Sequence, residues 1–238
     1  MGRRIVWFSC GAASAVTAKF AVEQYGNQVK VVYCFTLKDE NPDNHRFFYD
    51  VQDWIGRDIS VIRSQKFSSI EEVFEQTRYM AGRNGARCTV EMKKVPRFEF
   101  QLPEDIHLFG YTTEETTRIK RFEGNNPDLF LEWILRDHGL TKEDCFKIIR
   151  DAEIELPVMY GLGYKNNNCL GCVKATSTKY WNMIRRDFPE VFERRAVQSR
   201  DIGCRLTRIK GRRIFLDELP AESDDGVLEN ITCGPECA

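Results

Sequence analysis

Two of the nine cysteines in this 238-residue chain form a tight pair, Cys169 and Cys172, separated by Leu-Gly. Two thiolates at this spacing can reach one metal, and the Gly- and Asn-rich surroundings indicate a loop. The apolar run at the N-terminus is too short for a signal peptide, so we expect a cytoplasmic protein whose thiols stay reduced. Metal binding or thiol chemistry should therefore account for some of the cysteines, and a disulfide framework should not.

A second segment with chemical potential is a run of small residues after a short β-prone stretch: Ser9, Cys10, Gly11, Ala12, Ala13 and Ser14. Small residues let backbone N–H groups approach an anion, and the start of a helix adds a positive dipole and free donors. The serine hydroxyls can also donate to phosphate oxygens. The run lacks the ending of a Walker loop. We predict that it binds phosphate, and a strand-to-helix turn kept small for packing is the alternative.

A third segment is basic. Four cations fall within twelve residues around Cys88, and these are Arg83, Arg87, Lys93 and Lys94. Such a charge run is usually a solvated face. Over the whole chain, 35 basic residues balance 36 acidic ones, so net charge does not point to nucleic acid, and no stretch approaches membrane-spanning length.

The hydrophobic pattern predicts the scaffold that must position these segments. Short apolar runs predict strands at 5–8, 29–35, 59–62 and 106–109, and helical periodicity falls at 13–25, 43–55, 67–79, 126–138, 141–152 and 178–194. Residues 205–216 turn at Lys210-Gly211 like a hairpin. The alternation predicts an α/β fold, a mostly parallel twisted sheet with helices on both faces. We expect a nucleotide-binding domain at 1–160 and a cysteine-bearing extension at 161–238 packed on it.

Parallel sheets bind ligands beyond the carboxyl ends of their strands. The loop that begins at Gly110 follows the strand at 106–109 and is therefore placed to meet a ligand. Phe35-Thr36 follows the second strand and could hold an adenine, whereas helix capping by Thr36 or Asp39 is the alternative.

The order of these motifs in one chain resembles the phosphoadenylyl-sulfate (PAPS) reductase family of the adenine-nucleotide α-hydrolase, or PP-loop, superfamily. The run from Ser9 to Ser14 is similar to the superfamily's pyrophosphate loop, commonly Ser-Gly-Gly-Lys-Asp-Ser. Cys10 stands for the first glycine, and Ala12-Ala13 stands for Lys-Asp, so the loop's own cation is missing. Residues 163–192 look like members of the family carried by bacteriophages and mobile elements.

The resemblance implies roles for the basic residues. Residues 88–96 resemble the Cys-Cys-x-x-Arg-Lys-x-x-Pro element of the sulfonucleotide reductases. This implies that Lys93 and Lys94, with Arg87, neutralise a sulfate or phosphate. A comparable family stretch implies that Glu114 and Arg118 lie at the nucleotide.

The resemblance also implies roles for the cysteines. The pair Cys169 and Cys172 is similar to the pair that binds the [4Fe-4S] cluster in assimilatory adenylyl-sulfate reductases, and Cys88 matches one cysteine of the family's second pair, with Thr89 in place of the other. We assign Cys233 as the fourth ligand and Cys237 as the redox thiol that attacks the sulfonucleotide. If Cys233 is the nucleophile, these roles exchange. A structural Zn²⁺ would fit the same four thiols.

The leading hypothesis is therefore an enzyme that binds adenosine 5′-phosphosulfate, its 3′-phosphorylated form or ATP, and acts at the α-phosphate or its sulfate. The resemblance implies a thioredoxin-like reductant or a protein complex as partner. ATP-dependent sulfur transfer to a nucleic acid is a second hypothesis. A third is a nucleotide-binding accessory subunit of a defence or mobile-element complex that has lost catalysis.

Overall fold

The computed structural model describes residues 2–83, 85–223, 227–231 and 233. Its strands, in chain order, are β1 (Arg4–Phe8), β2 (Val29–Cys34), β3 (Ser60–Ile62), β4 (Ala81–Gly82), β5 (Gly85–Ala86), β6 (Ile106–Phe109), β7 (Phe130–Glu132), β8 (Thr207–Ile209) and β9 (Arg212–Ile214). Five of them form one sheet in the order β3-β2-β1-β6-β7, and every neighbouring pair is parallel. The predicted parallel α/β architecture is confirmed.

The helices connect and cover this sheet. They are α1 (Ala12–Tyr25), α2 (Asp43–Ile55), α3 (Ile70–Thr77), α4 (Arg87–Thr89), α5 (Val95–Phe100), α6 (Thr116–Asn125), α7 (Ile134–Asp137), α8 (Lys142–Asp151), α9 (Val158–Gly161), α10 (Thr178–Asp187) and α11 (Pro189–Ile202). A π-helical turn, Val90–Lys94, joins α4 to α5. None of the helices within the described residues is both long enough and apolar enough to span a membrane.

Alternation along β1 explains why both faces of the sheet are covered. Val6 and Phe8 pack into a cluster with residues of α1, α2 and α8. Ile5 and Trp7 point to the opposite face and pack with residues of β6 and α6. Successive side chains of a strand face opposite sides, so a strand that is apolar at every position needs helices on both sides.

A third hydrophobic cluster joins the C-terminal region to the middle of the chain. It combines Phe67, Phe74 and Met92 with residues of the C-terminal region such as Trp181 and Leu206. Described residues of the C-terminal region therefore pack against the segment that carries α3 and the π-helical turn.

Two predicted helices differ from the observed elements. The prediction of a helix at 126–138 is wrong, because the edge strand β7 pairs there with β6 and only Ile134–Asp137 is helical. The helix predicted at 178–194 is two helices, broken at Phe188, which lies outside the helical region of the backbone. Pro189 begins the second helix, and a proline disfavours helical geometry in the residue before it.

Candidate functional site

The loop at 9–14 joins β1 to α1 and is closed around one hydroxyl. Ser14 Oγ donates to the carbonyl of Gly11 at 2.8 Å and accepts from the backbone N–H of Ser9 at 3.1 Å. Cys10 has a φ of 53°, in the left-handed region that favours glycine. Its carbonyl accepts a hydrogen bond of 2.7 Å from the side chain of Asn167. The Cys10 thiol is buried, and burial raises its pKa well above the usual value.

Helix α1 begins inside this loop. Gly11 is its N-cap and has no side chain that could cap the helix. The N–H groups of a first helical turn have no partner within the helix, so such a turn favours an anion.

Gly110, directly after β6, presses against the same turn. A Cβ atom at this position would lie 2.6 Å from the backbone nitrogen of Ser14 and 2.8 Å from its Cα. Only glycine allows this approach. β1 has β2 on one side and β6 on the other, so the loop stands where the strand order reverses, the usual binding position in doubly wound sheets.

A cavity of about 530 Å³ opens at this position, and we call it the loop cavity. Its volume lies in the range of small-molecule sites. Ten residues that the sequence analysis selected line it: Ser9, Gly11, Ala12, Ala13, Ser14, Lys93, Gly110, Glu114, Arg118 and Cys233.

Four residues that the sequence analysis selected for the nucleotide are not among those that line the loop cavity. The side chain of Cys10, within the loop, is buried. Lys94 follows Lys93 along the π-helical turn. The Thr36 hydroxyl donates to Glu40 at 2.5 Å, and Arg87 pairs with Glu91 at 2.7 Å. Cys237, assigned as the redox thiol, lies outside the described residues.

The cavity wall also contains residues that sequence reasoning did not select. Most follow β7 in the chain, and they include Lys142, Phe146, Tyr160, Tyr164, Lys165, Asn166, Asn167 and Asn168. Of these, residues 164–168 lie in the 163–192 segment that carries the family resemblance. No local pattern marks the others, because the fold alone brings them to the loop.

Cations surround the cavity, but several already have partners. Arg118 pairs with Glu115 at 2.6 Å, and its guanidinium carbon lies 4.0 Å from the ring centre of Tyr111. The Lys142 ammonium donates to Asn166 Oδ1 at 3.0 Å and to the Lys165 carbonyl. Burial lowers the pKa of Lys142.

A second, smaller cavity contains the thiols of Cys88, Cys169, Cys172 and Cys233 in its wall, and we call it the thiol cavity. These are the four cysteines that the sequence analysis assigned to a metal. Within the described residues, no group of three or more His, Cys, Asp or Glu side chains is arranged to hold a metal ion. The four thiols therefore share a cavity without forming a coordination sphere.

The thiols interact with one another. A hydrogen bond between Cys172 and Cys233 raises the pKa of Cys172 well above its usual value and lowers that of Cys233 well below it. Burial raises the pKa of Cys88 to about 12. Thr89, which stands where the cluster-binding family has a second cysteine, has its hydroxyl 3.6 Å from the Cys233 sulfur.

Lys93 belongs to the walls of both cavities, as does Cys233. It lies in the π-helical turn, is 7% exposed, and donates from its ammonium to the Cys233 carbonyl at 2.9 Å. Single π-helical turns inside helices are frequent at functional sites. Lys93 and Cys233 are therefore the residues at which the loop cavity meets the thiol cavity.

No protein-family model matches the sequence, and no curated protein matches it. Among solved structures, the chain is similar to the PAPS reductase from Candida auris, whose crystal structure is a phosphate complex. The two share 12% sequence identity with a TM-score of 0.50, and the match covers 71% of this chain and 82% of that one. At this level of identity the likeness concerns the fold alone. The chain therefore has an α/β fold similar to that of a PAPS reductase.

Proposed function

We propose that this chain is an enzyme of the PAPS reductase type that binds an adenine nucleotide in the loop cavity and acts on its sulfate or α-phosphate. The observation that carries the proposal is the position of the cavity. It opens where the strand order reverses, against the N-terminus of α1, whose N-cap residue, Gly11, has no side chain. Phosphate groups bind at such helix ends in unrelated nucleotide-binding folds.

Cations in the wall of the cavity support a phosphorylated ligand. The buried Lys93 ammonium lies at the side shared with the thiols, while Arg118, Lys142 and Lys165 lie along the rest of the wall. Because the loop carries Ala12-Ala13, it contributes no cation of its own. Lys93 is then the cation best shielded from water, where its attraction for an anion is strongest.

For a sulfonucleotide, the proposed chemistry begins with a tail thiolate. The thiolate attacks the sulfate sulfur, a sulfur–sulfur bond forms, and the sulfur–oxygen bond to the nucleotide breaks, so the nucleotide leaves with the electron pair. A thioredoxin-like dithiol then attacks the resulting thiosulfonate, is oxidised to a disulfide and releases sulfite. We assign the attack to Cys237. Cys233 takes that role if Cys237 is instead the metal ligand.

The four thiols of the thiol cavity are the proposed ligands of a metal centre, either [4Fe-4S] or Zn²⁺. Soft thiolate donors suit both, and the hydrogen bond between Cys172 and Cys233 supports Cys233 as the fourth ligand. When bound, the centre would fix the tail beside the loop cavity. Lys93 would offset part of the negative charge of the four thiolates.

Calorimetry tests the nucleotide site. We expect adenosine 5′-phosphosulfate, PAPS or ATP to bind, and adenosine to bind much more weakly because it lacks the phosphate. No heat with any of the three nucleotides, in protein shown to be folded, would contradict the proposal. Sulfite release with a thiol donor then identifies reductase chemistry. Pyrophosphate release from ATP would favour sulfur transfer, and tight binding without turnover would favour the accessory-subunit hypothesis.

The roles of the tail thiols separate in two variants. We expect Cys237→Ser to abolish sulfite release with the metal content unchanged, and Cys233→Ser to lower the metal content. The reverse pattern would exchange the two roles.

Anaerobic purification tests the metal centre. A [4Fe-4S] cluster gives brown protein with about four irons per chain, and Zn²⁺ gives colourless protein with one tightly bound ion. Cys169→Ser should remove either one. Cys204→Ser is the matched control, because its sulfur donates to the Ala81 carbonyl at 3.5 Å and lies outside the thiol cavity. Metal-free wild-type protein with freely titratable thiols and unchanged stability would contradict the metal proposal.

A further inference from the structure

Tyr160 reaches the 9–14 loop from the far side of the cavity. It lies in the short helix α9, and its ring packs against Phe146 with 4.7 Å between ring centres. Its hydroxyl oxygen accepts a hydrogen bond of 3.3 Å from the backbone N–H of Ala12. A residue far along the chain therefore contacts the first turn of α1.

The hydroxyl still has one hydrogen bond to make. A phenol hydroxyl can both accept and donate hydrogen bonds, and the bond from the Ala12 N–H leaves the donor capacity of Tyr160 unused. No residue in the described part of the chain accepts its proton, and Tyr160 lines the loop cavity. Burial raises the pKa of Tyr160 to about 12, so the hydroxyl keeps this proton at neutral pH.

Asn167 also lines the loop cavity, and it has an acceptor atom without a hydrogen-bond partner among the described residues. Its side-chain nitrogen donates to the Cys10 carbonyl and to Asn44 Oδ1, both at 2.7 Å. Its Oδ1 atom is buried without a hydrogen-bond partner among the described residues, and Asn167 as a whole is 6% exposed. Buried polar atoms in folded proteins are nearly always paired. A donor and an acceptor that both lack partners in one cavity wall indicate a ligand.

We propose that Tyr160 is a ligand-binding residue that donates its hydroxyl hydrogen to a phosphate or sulfate oxygen of the bound nucleotide. The inference rests on the proposed nucleotide site and names a residue in it. The N–H of Ala12 polarises the Tyr160 hydroxyl, so the positive end of α1 reaches the ligand through the tyrosine. A neutral donor from α9 thus supports the anion beside a loop that has no cation of its own.

The test is Tyr160→Phe, which removes the hydroxyl and keeps the ring against Phe146. We expect its affinity for adenosine 5′-phosphosulfate, measured by calorimetry, to fall by roughly 10- to 100-fold, the range for a hydrogen bond to a charged group. Binding of adenosine, followed by NMR titration, should stay within about twofold because adenosine has no anionic oxygen.

Tyr49→Phe is the matched control. Tyr49 is 59% exposed and does not line the loop cavity. This variant should bind the sulfonucleotide within about twofold of wild type. Thermal unfolding of both variants separates lost stability from lost affinity.

Two results would overturn the inference while leaving the proposed function in place. One is a Tyr160→Phe variant that binds the sulfonucleotide as tightly as wild type. The other is an equal loss of affinity for adenosine and for the sulfonucleotide, which would mean that Tyr160 only holds the loop in shape. Failure of wild-type protein to bind any nucleotide would instead contradict the proposed function itself.

Discussion

The loop cavity and the thiol cavity share a wall but are built in different ways. The loop owes its shape to hydrogen bonds among Ser9, Gly11 and Ser14, which are at most five residues apart. The thiol cavity owes its shape to long-range packing. In its wall, Thr89 and Cys233 are in contact although they are 144 residues apart.

This difference separates two kinds of site. The internal hydrogen bonds of a locally closed loop need only the strand and the helix that flank it. A site assembled from distant segments forms only when the whole chain has folded, and its stability follows from tertiary packing. Substitutions at the loop should therefore change binding, whereas substitutions at the thiols should change binding and stability together.

The largest effect is expected at Gly110, where the loop meets β6. In Gly110→Ala the new methyl group would overlap the backbone of Ser14, which a rotamer change cannot relieve. Overpacking of this kind costs about 1–3 kcal/mol and should displace the loop, so we expect nucleotide affinity to fall more than about 100-fold in calorimetry.

Gly124→Ala is its control, because a Cβ atom there meets nothing within 4 Å. This helix position should gain up to about 1 kcal/mol of stability without a change in binding. If Gly110→Ala bound the nucleotide as tightly as wild type, the loop would be able to move away from the new methyl group. The contrast between a locally closed loop and a thiol cavity assembled from distant segments would then not hold.

A second effect concerns the sheet that supports both cavities. His107, in β6, lines neither cavity and is 1% exposed. Its Nδ1 accepts from the Trp7 N–H at 3.0 Å, and burial lowers its pKa to about 4. The unfolded chain therefore takes up a proton near pH 6.5 that the folded protein takes up only near pH 4.

Stability from His107 is thus complete above pH 6.5 and is lost as pH falls towards 4, by roughly 3 kcal/mol in total. Urea unfolding at pH 7.5 and pH 5 should show this loss in wild type. His107→Asn, which keeps an acceptor for Trp7 but does not titrate, should lose less over the same range. Equal pH dependence in the two proteins would contradict the assignment.

The smallest effect distinguishes adjacent lysines. The sequence assigns both Lys93 and Lys94 to the anion, but only Lys93 lines the cavities. We expect Lys93→Met to weaken nucleotide binding by about 1–3 kcal/mol, and Lys94→Met to change it by less than about 0.5 kcal/mol. If the two variants lost equal affinity, the lysines would act through the general electrostatic field of the basic segment. High salt should then reduce the loss of affinity in both variants.

Much of the nucleotide-binding half could be predicted from the sequence, because its signals are local. The strand at 106–109 and the helix at 43–55 have the bounds that their apolar patterns predict. The 9–14 loop is recognisable because small residues stand between a strand and a helix. Each of these signals lies within a few residues of the feature that it predicts.

The rest depends on contacts that no local pattern shows. The strand Phe130–Glu132 exists because it pairs with β6, and its three residues are too few to outweigh the helical pattern around them. Tyr160 lies in no motif, and the resemblance of residues 163–192 gives no role to Asn167. Their role follows from hydrogen bonds to Ala12 and Cys10, more than 140 positions away.

The shared wall of Lys93 and Cys233 has a thermodynamic consequence. If ligands of the two cavities touch the same ammonium group and the same tail residue, they cannot bind independently. If binding of one ligand changes the affinity for the other by some factor, binding of the second ligand must change the affinity for the first by the same factor. Loss of the metal should then alter nucleotide affinity, and saturating nucleotide should alter metal release to an equal degree. The size of this mutual change in affinity measures how strongly Lys93 couples the two cavities.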